Sequence, residues 1–116
     1  MSDIIRHNIR VPLAASARIS YSSDAGRKSI DTTVASISLA GIGLYADCTL
    51  AKNTAVTVQI NFISEDGLMK TDEVEGDIVN ANEIQDLCYL CIVFKEDINP
   101  QKQPSLYAHL QKIIRK

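Results

Sequence analysis

The clearest regularity along the chain is alternation. From Thr54 to Phe62 the apolar residues Val56, Val58, Ile60 and Phe62 are separated by Thr57, Gln59 and Asn61. A period of two sends successive side chains to opposite faces, so this run predicts a strand with one face buried. Val74, Gly76 and Ile78 alternate with Glu75 and Asp77 in the same way. Glu65-Asp66-Gly67 lies between the two runs and suits a hairpin loop. Leu87 to Phe94 is apolar on both faces, and its β-branched and aromatic residues predict a central strand. Arg10 to Tyr21 and Ile30 to Ser38 alternate less cleanly, and Ile42 to Ala46 is a short apolar run. Asp24-Ala25-Gly26 predicts a turn, Gly41 and Gly43 a second bend, Asn80-Ala81-Asn82 a weaker turn, and Asn99-Pro100 a break.

The period changes at the C-terminal end. Leu106, Leu110, Ile113 and Ile114 fall at i, i+4, i+7 and i+8, one stripe of an amphipathic helix that starts near Pro104-Ser105. Six strands followed by one helix predict an all-β domain, a small antiparallel barrel or sandwich with a docked helix.

Composition narrows what such a domain does. The 116 residues fit one core, and 46% hydrophobic residues are enough to fill it. Twelve Lys and Arg stand against 14 Asp and Glu, which removes the basic excess expected of a protein that binds long nucleic acid. Aromatics are 5% with no Trp, too few for a single-strand stacking platform. No apolar run reaches 18 residues and the first ten are polar, so neither membrane insertion nor a secretory leader is expected and the location expected is cytoplasmic. Three cysteines, an odd count, do not suggest a disulfide framework there.

Catalysis is not expected. His7 and His109 lie at opposite ends of the chain, no G-x-S-x-G occurs, and no nucleophile has a base at a suggestive spacing. Cys88 and Cys91 form a C-x-x-C, but residues three apart on a strand face opposite ways and no second pair exists. Two buried structural cysteines and no metal are therefore expected. Glu65, Asp66, Asp72, Glu73, Glu75 and Asp77 read as a solvated hairpin face.

Two segments stand out. Arg6 and Arg10 place two guanidinium groups four residues apart, just before Val11-Pro12. An Arg fork takes a phosphate, or the O6/N7 edge of a guanine, through two parallel hydrogen bonds. The second segment runs from Ser36 through Ser38 and Gly41 to Leu44, where a strand end carries hydroxyls and Gly41 permits a tight corner or a close backbone approach.

Together the two segments resemble the PilZ domain family, which pairs an R-x-x-x-R leader with a later [D/N]-x-S-x-x-G motif. Arg6 and Arg10 match the first, and Ser38 and Gly41 match the serine and glycine of the second. Val11-Pro12 is similar to the family's first strand, Ala55 to Phe62 to its mid-barrel strand, Val74 to Val79 to the strand after it, and Tyr89 to Phe94 to its last strand. The resemblance implies a six-stranded antiparallel, Greek-key β-barrel with a C-terminal α-helix. Residues 1–12 are then a flexible leader and 13–116 a single barrel domain. It implies a bacterial receptor or adaptor for cyclic di-GMP, with Arg6, Arg10, Ser36, Ser38 and Gly41 as ligand-binding residues and no other cofactor. Output passes to a downstream protein partner.

Two departures from the family pattern qualify this picture. Ser36 stands where the family prefers Asp or Asn, which offer two polar atoms against one hydroxyl. That loss is worth about 1–3 kcal/mol, tenfold to a hundredfold in affinity. The alternative it raises is a degenerate PilZ domain acting as a protein-interaction adaptor without nucleotide. Cys91 stands where the last strand often carries Gly, a change expected to bear on barrel packing more than on the ligand. Ile5, an aliphatic residue directly before the first motif, implies one ligand per chain.

Overall fold

The computed structural model describes residues 9–47 and 49–114. Six strands, β1 (Ala15–Ser23), β2 (Gly26–Ile37), β3 (Gly41–Ala46), β4 (Ala55–Ile63), β5 (Met69–Ile84) and β6 (Leu87–Phe94), precede one helix, α1 (Pro104–Ile114). The strands close in the order β1-β2-β3-β6-β5-β4, every pair antiparallel. Closure pairs β1 with β4, for example Ala17 with Ile60, so among the described residues no strand of the barrel is left as an open edge. Of the two architectures open from the element count, the barrel is the one adopted.

The alternation seen in the sequence becomes inside and outside. Val56, Val58, Ile60 and Phe62 of β4 are buried, as are Leu90 and Ile92 of β6 and Ile42 and Leu44 of β3. Each such side chain stabilises the fold by about 1.5–3 kcal/mol relative to exposure. The Asp24–Gly26 turn forms as expected. Gly26 adopts φ 104°, a left-handed conformation that favours glycine, while the Ser23 hydroxyl donates to the Gly26 carbonyl at 2.8 Å. The loop between β4 and β5 also forms, with Gly67 at φ 81°. There the Ser64 hydroxyl and the Leu68 N–H both donate to the Asp66 carboxylate and hold its pKa below the ordinary carboxylate value.

Three expectations change. The Asn80-Ala81-Asn82 segment is not a turn. β5 runs through it to Ile84, and a bulge between Ile78 and Asn80 absorbs the irregularity. Gly41 and Gly43 do not form a bend but lie inside β3, the bend falling at Leu39 and Ala40. Val11-Pro12 is not a full strand. Val11 pairs with Ile37 as an isolated bridge, and β1 begins only at Ala15. Proline lacks an N–H, so Pro12 interrupts the ladder between the two.

The helix docks on β5. Leu106 and Leu110 are buried, and His109 is half-buried with its ring 5.0 Å from that of Phe62. Asp72 on β5 supplies the helix cap from a distance. Its carboxylate accepts the backbone N–H of Leu106 at 2.7 Å, one of the donors a helix start leaves unpaired. The Gln103 side-chain amide donates to the Glu73 carbonyl at 2.9 Å beside it. Asp72→Ala is expected to destabilise the domain by about 1–2 kcal/mol, read as a lower denaturant midpoint with an unchanged slope. An unaltered midpoint would show that Asp72 does not hold the helix.

Candidate functional site

The site is assembled where the segment before β1 meets β2. Val11 and Ile37 exchange two backbone hydrogen bonds of 2.9 Å, and both side chains enter the core. Val11 is 8% exposed, so the end of the leader belongs to the packed interior. This anchor fixes Arg10 beside β2. The guanidinium of Arg10 donates to the Ser36 hydroxyl at 3.3 Å, bringing together one residue from each of the two sequence segments. Arg6 lies outside the described residues.

Ser36 faces outward because of a bulge. The register between β2 and β3 shifts between Val34 and Ser36, so that Val34 and Ile37 are both buried. Strict alternation from Val34 would have sent Ser36 inside and Ile37 out. One extra residue reverses that. Ser36 then sits opposite Gly43, Gly43 opposite Cys91, and Cys91 opposite Asn80, forming one outward-facing row across four strands.

Ser38 and Gly41 are placed differently from Ser36. The Ser38 side chain is 4% exposed, and its hydroxyl accepts the N–H groups of Ala40 and Gly41, both at 3.2 Å. The Ser38 N–H donates to the Gly41 carbonyl at 2.9 Å. The hydroxyl is thus committed to the corner between β2 and β3, the tight polar corner that the sequence also allowed. A Cβ on Gly41 would lie 2.6 Å from the Ile92 carbonyl oxygen, so glycine permits a close backbone approach there. The structure brings Arg10 and Ser36 into contact, and Ser38 and Gly41 shape the corner that follows them.

Two residues near this row escaped the sequence reading. A Cβ on Gly43 would lie 2.1 Å from the Tyr89 hydroxyl, so the phenol lies over the space that Gly43 leaves empty. The Tyr45 and Tyr89 rings are 5.2 Å apart and tilted by 57°. Parity within β6 was the available signal: with Leu90 and Ile92 inside, Tyr89, Cys91 and Val93 must face out. Accordingly Cys88 is buried, but Cys91 is only partly so, and the expectation of two buried cysteines holds for Cys88 alone. Cys91 therefore belongs to the wall beside Ser36 rather than to barrel packing. In the native protein iodoacetamide is expected to alkylate Cys91 at least tenfold faster than Cys88, with the difference lost in denaturant. Equal native rates, assigned by fragment-ion mass spectrometry, would contradict the outward placement.

Charge separates this site from the clefts elsewhere. Between the β4–β5 loop and α1, Lys112 pairs with Glu65 at 2.8 Å and Lys70 with Asp66 at 3.9 Å. A second cleft sets Arg27, Lys95 and Lys102 among Glu73, Glu75 and Glu96, with Lys102 on Glu96 at 3.0 Å. Their cations are balanced locally. Arg10 has no carboxylate partner among the described residues, where its five-donor guanidinium makes one side-chain hydrogen bond, to Ser36. Among the described residues no cluster of three or more His, Cys, Asp or Glu is placed to hold a metal ion, and no helix is long and apolar enough to cross a membrane.

Comparison with known proteins places the barrel. The PilZ domain family model matches residues 4–114. No curated protein sequence matches the chain. The barrel is similar to the solved structure of the Bacillus subtilis inhibitor of motility (MotI/DgrA), with a TM-score of 0.71 and 14% identity over 93% of this chain and 51% of that one. The chain thus spans about half the length of that protein. It is also similar to the PilZ domain of YcgR from Escherichia coli, solved with cyclic di-GMP, with a TM-score of 0.59 and 13% identity over 92% of this chain and 86% of that one. With a family match over nearly its whole length and the closed barrel and terminal helix in place, the chain belongs to the PilZ domain family.

Proposed function

We propose that this domain is a cyclic di-GMP receptor that works in the cytoplasm and signals to a partner protein, by binding rather than by catalysis. The observation that carries the reading is the contact between Arg10 and Ser36, which joins the leader to the outer wall of the barrel. Arg6 and Arg10 grip the ligand's phosphates and a guanine edge as charge-assisted forks. Ser36 orients the Arg10 guanidinium and offers its hydroxyl to the base. Ser38 and Gly41 close the corner that follows Ser36 and fix where β3 starts beside it. A ligand held by both arginines ties the segment before β1 to the barrel wall and so changes the surface presented to the partner.

Titration calorimetry of the purified chain with cyclic di-GMP tests this, with one site per chain expected. Absence of heat at tens of micromolar ligand would overturn it. The second reading, an adaptor that binds its partner without nucleotide, is favoured by two features. Ser36 offers less than the family's usual acid or amide, and the Ser38 hydroxyl is spent on its own turn. Partner capture indifferent to both cyclic di-GMP and Arg10→Ala would establish that reading instead.

A further inference from the structure

The outer wall next to Ser36 holds a polar group that neither motif supplies. Ser36 pairs with Gly43 across β2 and β3, at the strand spacing of about 4.8 Å. The space above Gly43 is taken by the Tyr89 hydroxyl, since a Cβ there would come within 2.1 Å of it and 2.8 Å of the adjoining ring carbon. Tyr89 itself is opposite Tyr45, one row away, so its ring leans along the wall to bring the hydroxyl into the row of Ser36. Any side chain on Gly43 would push it out. Three groups therefore converge on one patch: the Arg10 guanidinium, the Ser36 hydroxyl and the Tyr89 phenol. The first is a donor only, and the other two each donate and accept.

We infer that Tyr89 is a ligand-contacting residue of this domain, seated by Gly43. It places a phenol hydroxyl and half an aromatic face against the guanine that Arg10 and Ser36 hold. The inference rests on the cyclic di-GMP reading of the same site. Chemically it adds back what the chain lacks at Ser36. An acid or amide there reaches the ligand with two polar atoms. Here one comes from Ser36 and a second, from a different strand, is Tyr89. The half-buried ring, backed by Tyr45, also offers a surface on which a base stacks.

Calorimetric titration of cyclic di-GMP into wild type and the Tyr89→Phe, Tyr89→Ala and Gly43→Ala variants tests this, with a thermal melt of each as the control on folding. Tyr89→Phe removes only the hydroxyl, and affinity should fall three- to tenfold. Tyr89→Ala removes the ring as well, and the loss should reach tenfold or more. Gly43→Ala keeps the tyrosine but unseats it, and should fall at least as far as Tyr89→Phe. Cyclic di-AMP, titrated in parallel, should discriminate less from cyclic di-GMP in Tyr89→Phe than in wild type. Wild-type binding with both Tyr89 variants within twofold would overturn the inference and leave the receptor reading intact. No wild-type binding would overturn both. Tyr89→Phe is nearly isosteric, so the test stands even if Gly43→Ala does not fold.

Discussion

Arg10→Ala is expected to weaken cyclic di-GMP binding at least tenfold while leaving the fold unchanged. The two halves of that expectation have separate grounds. Arg10 is exposed, and its side chain makes one hydrogen bond among the described residues, to the hydroxyl of the half-buried Ser36. The chain is held at this point by the backbone of Val11, through its two hydrogen bonds to Ile37, and by the Val11 side chain in the core. Truncating Arg10 removes none of this. Binding is another matter, because a charge-assisted hydrogen bond contributes about 1.5–3 kcal/mol and tenfold in affinity corresponds to about 1.4 kcal/mol. Arg10→Lys keeps the charge and loses the fork, so it should fall between wild type and alanine. The affinity of wild type should also decline with salt more steeply than that of Arg10→Ala. Calorimetry at two ionic strengths reads both effects, and a thermal melt checks the fold. An alanine variant that binds within twofold of wild type would remove Arg10 from the site.

What the sequence disclosed here depended on how local the deciding contact was. β4 was legible because its alternation is uninterrupted and its neighbour β5 follows through a turn with glycine at a left-handed φ. The helix was legible because a stripe at helical spacing has no strand reading. The bend expected at Gly41 and Gly43 falls at Leu39 and Ala40 instead, since glycine marks both turns and close approaches; at Gly41 the close backbone approach, the other option the sequence offered, is the one realised. Here Gly41 answers to the Ile92 carbonyl and Gly43 to the Tyr89 hydroxyl, 51 and 46 residues away in sequence. The bulge in β5 misled for a related reason: Asn80-Ala81-Asn82 has turn composition, but the pairing of β6 carries the strand through it. In the site, a residue list naming Ser36 and Ser38 could not say which hydroxyl faces out. One bulge residue decides that for Ser36, while the Ser38 hydroxyl turns back to accept the Gly41 N–H three residues on. Parity within β6 turns Tyr89 outward, but its place over Gly43 exists only once β3 and β6 are in register.

That geometry makes a second strong prediction, for Gly41→Ala, which should act on stability first. The added Cβ would lie 2.6 Å from the Ile92 carbonyl oxygen, a backbone atom that cannot swing aside as a side-chain end does. Relief requires β3 and β6 to part where Gly41 pairs with Val93, beside the hydrogen bond from the Phe94 N–H to the Ala40 carbonyl at 2.8 Å. Overpacking of this kind costs about 1–3 kcal/mol. At roughly 4 °C per kcal/mol for a domain of this size, Tm should drop by about 4–12 °C. The corner closed by Ser38 shares the strain, because both its hydroxyl and its N–H bond to Gly41. Ser38→Ala should therefore also lower Tm, though less, since it removes hydrogen bonds of about 1 kcal/mol each without forcing the strands apart. The pattern separates two roles for one motif. If Ser38 and Gly41 hold the corner, both variants lose Tm even without ligand, and affinity falls only as the wall that carries Ser36 deforms. Variants that keep the wild-type Tm but lose cyclic di-GMP affinity would instead make these residues direct ligand contacts and overturn the structural assignment.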